Sequence, residues 1–111
     1  MQDQIEQINL SIDQARESVM RRDALDRLRN TPDFKLIVEE GYFINEASRL
    51  VSLKADPEMA PEAHQKQIDN AIMGVSALRL YFRTIYQLGN MSEKSIKDDE
   101  ATRDELLAEE V

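Results

Sequence analysis

The stretch TPDFKLIVEEGYFINEASRLVSLKADP, residues 31–57, limits the fold more than any other part of this chain. Thr-Pro closes it at one end and Asp-Pro at the other. Between them recur Phe34, Leu36, Ile37, Val38, Tyr42, Phe43, Ile44, Ala47, Leu50, Val51 and Leu53. Plotted at about 100° per residue, they occupy most of a helix circumference rather than one stripe. A helix that apolar needs cover on more than one side, and burying the ring of Phe34 or Phe43 is worth about 1.5–3 kcal/mol each. The expectation is a central helix over 32–54, the most buried of the chain, with the flanking segments as its covers.

The joints around it are legible. Thr31 can cap a helix that has Pro32 in its first turn, where the missing N–H costs nothing, and Asp33 suits the positive end of the dipole. Gly41 interrupts the apolar run at a cost of about 1 kcal/mol against Ala, so a bend or a close-packed neighbour is expected there. Residues 54–61, with prolines at 57 and 61, read as a loop, because the residue before each proline is turned away from helix.

Residues 3–29 read as the first helix. Ile5, Ile8, Ile12, Ala15 and Val19 keep the 3-4 spacing of a coiled-coil seam among polar neighbours. Arg22 then occupies the next seam position, and the apolar residues shift to Met20, Ala24, Leu25 and Leu28. Two arrangements fit the seam, pairing with another subunit or packing back on the third helix. We expect the first, since three isoleucines make a thin contact within one chain.

The third helix is expected from about Pro61 to residue 97, along a seam of Ile68, Ala71, Val75, Leu78, Phe82, Ile85, Gly89, Ser92 and Ile96. Ile72, Tyr81 and Tyr86 widen its middle, and Gly89-Asn90 can end or weaken it. Residues 98–111 hold seven acids against one base, so about six of the chain's eight net negative charges lie there. A tail of that composition is expected to be mobile unless a partner orders it. The reading is therefore all-α: a three-helix antiparallel bundle or helical hairpin, with a coiled-coil-like N-terminal helix (1–30), a helical core (31–97, helices 32–54 and 61–97) and an acidic C-terminal tail (98–111).

Several kinds of chemistry find no support in these residues. The 111 residues suit one domain, and the absence of cysteine excludes a disulfide scaffold, a thiol nucleophile and thiolate-bound zinc. His64 is the single histidine, so a di-iron bundle site, which needs two Glu-x-x-His units, has no basis; a solvated first-turn residue is expected. No phosphate loop, nucleophile elbow or EF-hand loop occurs. No enzyme, metal or cofactor is expected. The acidic balance argues against nucleic-acid binding, and the polar start MQDQIEQINL and the lack of a long apolar run argue against a signal peptide or a membrane span.

Candidate binding residues come from two places. Ile5, Ile8, Ile12 and Val19 form the seam. Arg79, Arg83 and Tyr86, with Tyr81, form the basic and aromatic cluster LRLYFRTIYQLG, which suits an interface core. The alternative for the cluster is that its tyrosines complete the core while the arginines pair with Glu39, Glu40 or Glu46. Arg21, Arg22, Arg27 and Arg29, interleaved with Asp23 and Asp26, read as a solvated face with ion pairs.

The segments TPDFKLIVEEGYFINEASRLVSLKADPEM, AIMGVSALRLYFRTIYQLGNMSEKSI and EATRDELLAEE resemble a family of short, poorly characterised helical proteins of tailed bacteriophages. The resemblance covers most of the chain from residue 31 onward and carries no catalytic residues with it. It implies a phage setting. The expectation is a virion assembly or structural protein, scaffold-like or associated with head, portal or ejection machinery. Such a protein would have protein partners and form a homo-oligomer, made in the host cytoplasm and then carried in a procapsid or virion. The alternative is an acidic phage-encoded regulator that binds and inhibits a host nucleic-acid enzyme.

Overall fold

A computed structural model describes residues 2–110, and every regular element among them is helical. Three long helices follow in order: α1 (Gln2–Arg29), α2 (residues 32–54) and α3 (Glu62–Glu109). A short 3₁₀ turn, Pro57–Met59, lies between α2 and α3.

The joints form where the local chemistry places them. Thr31 is extended, and its hydroxyl donates to the Leu28 carbonyl at 2.8 Å while accepting the Phe34 N–H at 3.3 Å. One side chain thus closes α1 and opens α2. At the second joint Asp56 Oδ1 accepts the Glu58 N–H at 2.9 Å. Gln65 Nε2 then donates to the carbonyls of Lys54 and Met59, at 3.1 and 2.8 Å, tying the loop to the first turn of α3.

The chain divides into two compact units. One joins the chain up to Asp26 with the chain from Thr84 onward; the other is Arg27–Arg83. This division differs from the expected one at 30 and 97, because α1 and α3 each contribute to both units.

In the first unit α1 lies antiparallel to the second part of α3. The pairs that fix the register are Asn9 with Arg103, Ser11 with Asp99, Arg22 with Asn90 and Asp26 with Tyr86. Ile12, only 1% exposed, is its most enclosed side chain, with Leu25, Ile85 and Gly89 also buried. The seam of α1 does not break at Arg22. That side chain stays on the inner face, 15% exposed, whereas Met20 and Leu28 lie in solvent. The helix of α3 does not stop at residue 97 either. It runs to Glu109, and Ile96, Asp99, Arg103 and Leu106 extend its half-buried row at the same 3-4 spacing.

In the second unit α2 lies along the first part of α3. Phe43 and Leu50 of α2 are buried with Ile68, Val75 and Phe82 of α3. The α2 backbone is α-helical at Pro32–Phe34 and Ala47–Lys54 and wound wider, as a π-helix, over Lys35–Glu46. Phe34 and Ala47 at the two junctions keep ordinary helical angles. Gly41 serves the wide winding. A Cβ there would stand 3.0 Å from the carbonyl oxygen of Leu36, five residues back.

The winding decides which side chains meet. Phe34 and Phe43 are nine residues apart, which at about 100° per residue puts them on opposite faces. At about 4.4 residues per turn, nine residues make two turns, and both rings face α3. Each ring centroid lies 5.9 Å from that of Phe82. The structure corrects the expected burial of α2. Its apolar residues do spread around the circumference, but not all of them are covered. In the folded helix Phe43 and Leu50 point inward, while Leu36, Ile37, Ile44 and Val51 are exposed.

Gly74 gives a first prediction. It is exposed, and a Cβ there would meet only the Tyr42 hydroxyl at 3.6 Å, an ordinary contact. Gly74→Ala should stabilise the protein by about 1 kcal/mol through helix propensity alone. Thermal unfolding followed by circular dichroism should show a midpoint a few degrees higher; a lower midpoint would mean that Tyr42 cannot tolerate the methyl group.

Candidate protein-interaction surface

The seven residues marked in the sequence fall into different units. Ile5, Ile8, Ile12, Val19 and Tyr86 belong to the first, Arg79 and Arg83 to the second. The isoleucine seam is used within the chain. Ile12 is enclosed, and Ile5, Ile8 and Val19 are half-buried in the helix pair.

Arg79 is held inside its own unit. Its guanidinium lies 4.8 Å from the Phe43 ring centroid, and Nη2 donates to the Phe43 carbonyl at 2.9 Å. Of the acids expected to receive Arg79 and Arg83, Glu39 and Glu46 have other partners and Glu40 is exposed. Glu39 is bonded by Arg29 at 2.5 Å, and Arg29 also stacks over Phe82, 5.5 Å from its centroid. Glu46 pairs with Arg49 on the same helix. Arg83 is exposed, and Tyr86 is half-buried with its hydroxyl 3.4 Å from Asp26. His64 is exposed in the first turn of α3.

Arg22 is the most connected charge of the first unit. Its guanidinium donates to Asn90 at 2.9 Å, Glu93 at 3.0 Å and Asp23 at 3.1 Å. The hydrogen bond from Arg22 holds the Glu93 carboxyl below its ordinary value of 4.5, with the charges of Arg22 and Lys97 adding to the effect. The same contacts, that with Glu93 first, raise Arg22. The folded carboxyl therefore releases its proton at lower pH than the unfolded one. This contribution is complete above the unfolded value and is lost as pH falls through the folded one. Urea midpoints measured from neutral to acid pH should fall below about pH 4.5, with a shallower fall in Glu93→Gln. Superimposable pH profiles for the two proteins would show that the pair carries no such linkage.

One flank of α2 is open. Phe43, Ile44, Ala47, Ser48, Val51 and Ser52 line an open groove of about 530 Å³. Ile44 is 58% and Val51 60% exposed. The groove begins where the wide winding ends, and there Phe43 turns inward and leaves Ile44 beside it facing out. In the sequence these residues stand directly beside inward-facing ones, Ile44 after Phe43 and Val51 after Leu50.

Among the described residues no group of three or more acids or histidines is placed to hold a metal ion. No described helix is long and apolar enough to cross a membrane. The molecule is thus defined as an all-α protein of paired helices, one of them apolar on its uncovered side. No family model, curated protein or solved structure matches the chain.

Proposed function

We propose that this chain is a non-enzymatic assembly protein that works through helix–helix contacts with other protein, including further copies of itself. In keeping with the tailed-phage resemblance of residues 31 onward, its place is in virion assembly or structure, scaffold-like or beside the head, portal or ejection machinery. The observation that carries this reading is the uncovered apolar flank of α2. Leaving Ile44 and Val51 in water forgoes about 1.5–3 kcal/mol of burial at each. Contiguous apolar surface of this kind marks interaction sites. The host-inhibitor alternative draws less support. It relies on a free acidic arm, whereas Asp99 accepts from Ser11 and Arg103 donates to Asn9 within a continuous helix.

Mass spectrometry of particles purified at successive assembly stages tests the proposal. The protein should be present in procapsids, in virions or in both. Recovery only from infected-cell lysate, bound to a host polymerase or nuclease, would replace assembly with inhibition.

A further inference from the structure

We infer that the α2 groove recognises itself: it is filled by the same groove of a second copy, the two α2 helices running antiparallel. This rests on the self-association part of the reading above.

The groove is arranged symmetrically about its own midpoint. Its lining runs from Phe43 to Ser52, and the centre falls between Ala47 and Ser48. A two-fold axis there lays Ile44 against Val51 of the second copy, and Val51 against its Ile44. Two small side chains, Ala47 and Ser48, sit at the axis, where two crossing helices come closest. Bulk therefore lies on either side of the crossing and space at the crossing itself.

The charges obey the same axis. Glu40 stands one turn before Ile44 and Lys54 one turn after Val51, both exposed. Antiparallel pairing brings Glu40 of each copy to Lys54 of the other. Parallel pairing would oppose like charges at both ends. Glu40 has no ion-pair partner among the described residues. Lys54 has one, Asp69, in a pair half-open to solvent. A foreign apolar helix could fill the groove, but nothing about it would require opposite charges on the two sides of the centre. The contact is small beside the roughly 1,200–2,000 Å² of a tight interface, so micromolar association is expected.

Sedimentation equilibrium of the full chain, from about 5 to 500 µM, is the test. The wild type should dimerise. Ile44→Asp, and separately Ser48→Arg at the axis, should weaken dimerisation roughly tenfold or more, because each places a charge in the apolar contact. Both positions are exposed, so circular dichroism should show unchanged helix content.

Glu40→Lys and Lys54→Glu should each weaken self-association. Mixed together they should form a heterodimer, because every facing pair is then of opposite sign. Weakening of each variant alone together with recovery on mixing marks the antiparallel contact, because in parallel pairing neither single change would add a like-charged pair to those of the wild type. A dimer indifferent to Ile44→Asp and Ser48→Arg would overturn this inference while leaving self-association standing on another surface. A wild-type monomer across the whole range would overturn both. Failure of the two charge variants to recover on mixing would reject the antiparallel arrangement.

Discussion

Phe82→Ala should cost the second unit about 3–5 kcal/mol, the usual loss for a buried phenylalanine. Phe82 is 8% exposed and is the shared target of three groups on two other helices. Phe34 meets it tilted at 44°, Phe43 edge-on at 69°, and Arg29 lies over its face. Each aromatic pair is worth about 0.5–1.5 kcal/mol beyond the area it buries. For a chain of this size, whose whole stability is on the order of 5–15 kcal/mol, the loss is a large fraction.

The neighbouring residue supplies the control. Tyr81 is 56% exposed, and Tyr81→Ala should change stability by less than about 1 kcal/mol. Urea unfolding of the two variants checks the contrast, and equal costs would mean that the ring cluster does not organise the unit. A second readout follows from the winding of α2. With Phe82 gone, Phe34 and Phe43 lose the ring they share. Lys35–Glu46 should then relax toward ordinary α-helix, and NMR couplings across its hydrogen bonds should shift from i,i+5 to i,i+4 pairs.

That winding also explains how far the sequence could be read. The joints were legible because their signals are local. Thr31 before Pro32 and Asp56 before Pro57 cap turns by contacts within two or three residues, and the structure has them. The seam of α3 was legible because its period is that of an ordinary helix, and Ile68, Val75, Phe82 and Ile85 are the buried row. The period of α2 was not legible. Nothing in KLIVEEGYFINE announces a wider turn except Gly41, and a glycine inside an apolar helix has several other uses. Read at the ordinary period, Ile44 and Val51 looked like core, and the open flank disappeared.

The first unit adds a different lesson. Arg22 looked like a break in the seam and Gly89 like a weak point in α3, because each was judged against its own helix. They are two halves of one contact between helices distant in sequence. The tail likewise looked mobile by composition, but the exposed acids at Asp98, Asp104 and Glu105 leave the inner row of Ile96, Asp99, Arg103 and Leu106 free to continue along α1.

Gly89→Ala is the sharpest test of that contact. By helix propensity alone the change should stabilise by about 1 kcal/mol. The structure reverses the sign. A Cβ at position 89 would stand 2.5 Å from Cβ of Arg22, 2.7 Å from its Cδ and 2.9 Å from its Cγ. The first of these atoms is fixed to the α1 backbone, so no rotamer change relieves the clash and the helices must separate. Overpacking of this kind costs typically about 1–3 kcal/mol. Separation would also lengthen the hydrogen bonds from Arg22 to Asn90 and Glu93.

Arg22→Ala should not rescue Gly89→Ala, because alanine keeps the offending Cβ. Arg22→Gly should, since it moves the missing Cβ from α3 to α1. The double variant Arg22→Gly, Gly89→Ala should then be more stable than the sum of the two single losses predicts, by about 1 kcal/mol or more in a double-mutant cycle. Thermal and urea unfolding of the four proteins measure the coupling. An additive cycle, or a Gly89→Ala protein more stable than wild type, would show that α1 and α3 do not meet at this glycine, and the register that pairs Asn9 with Arg103 and Ser11 with Asp99 would fall with it.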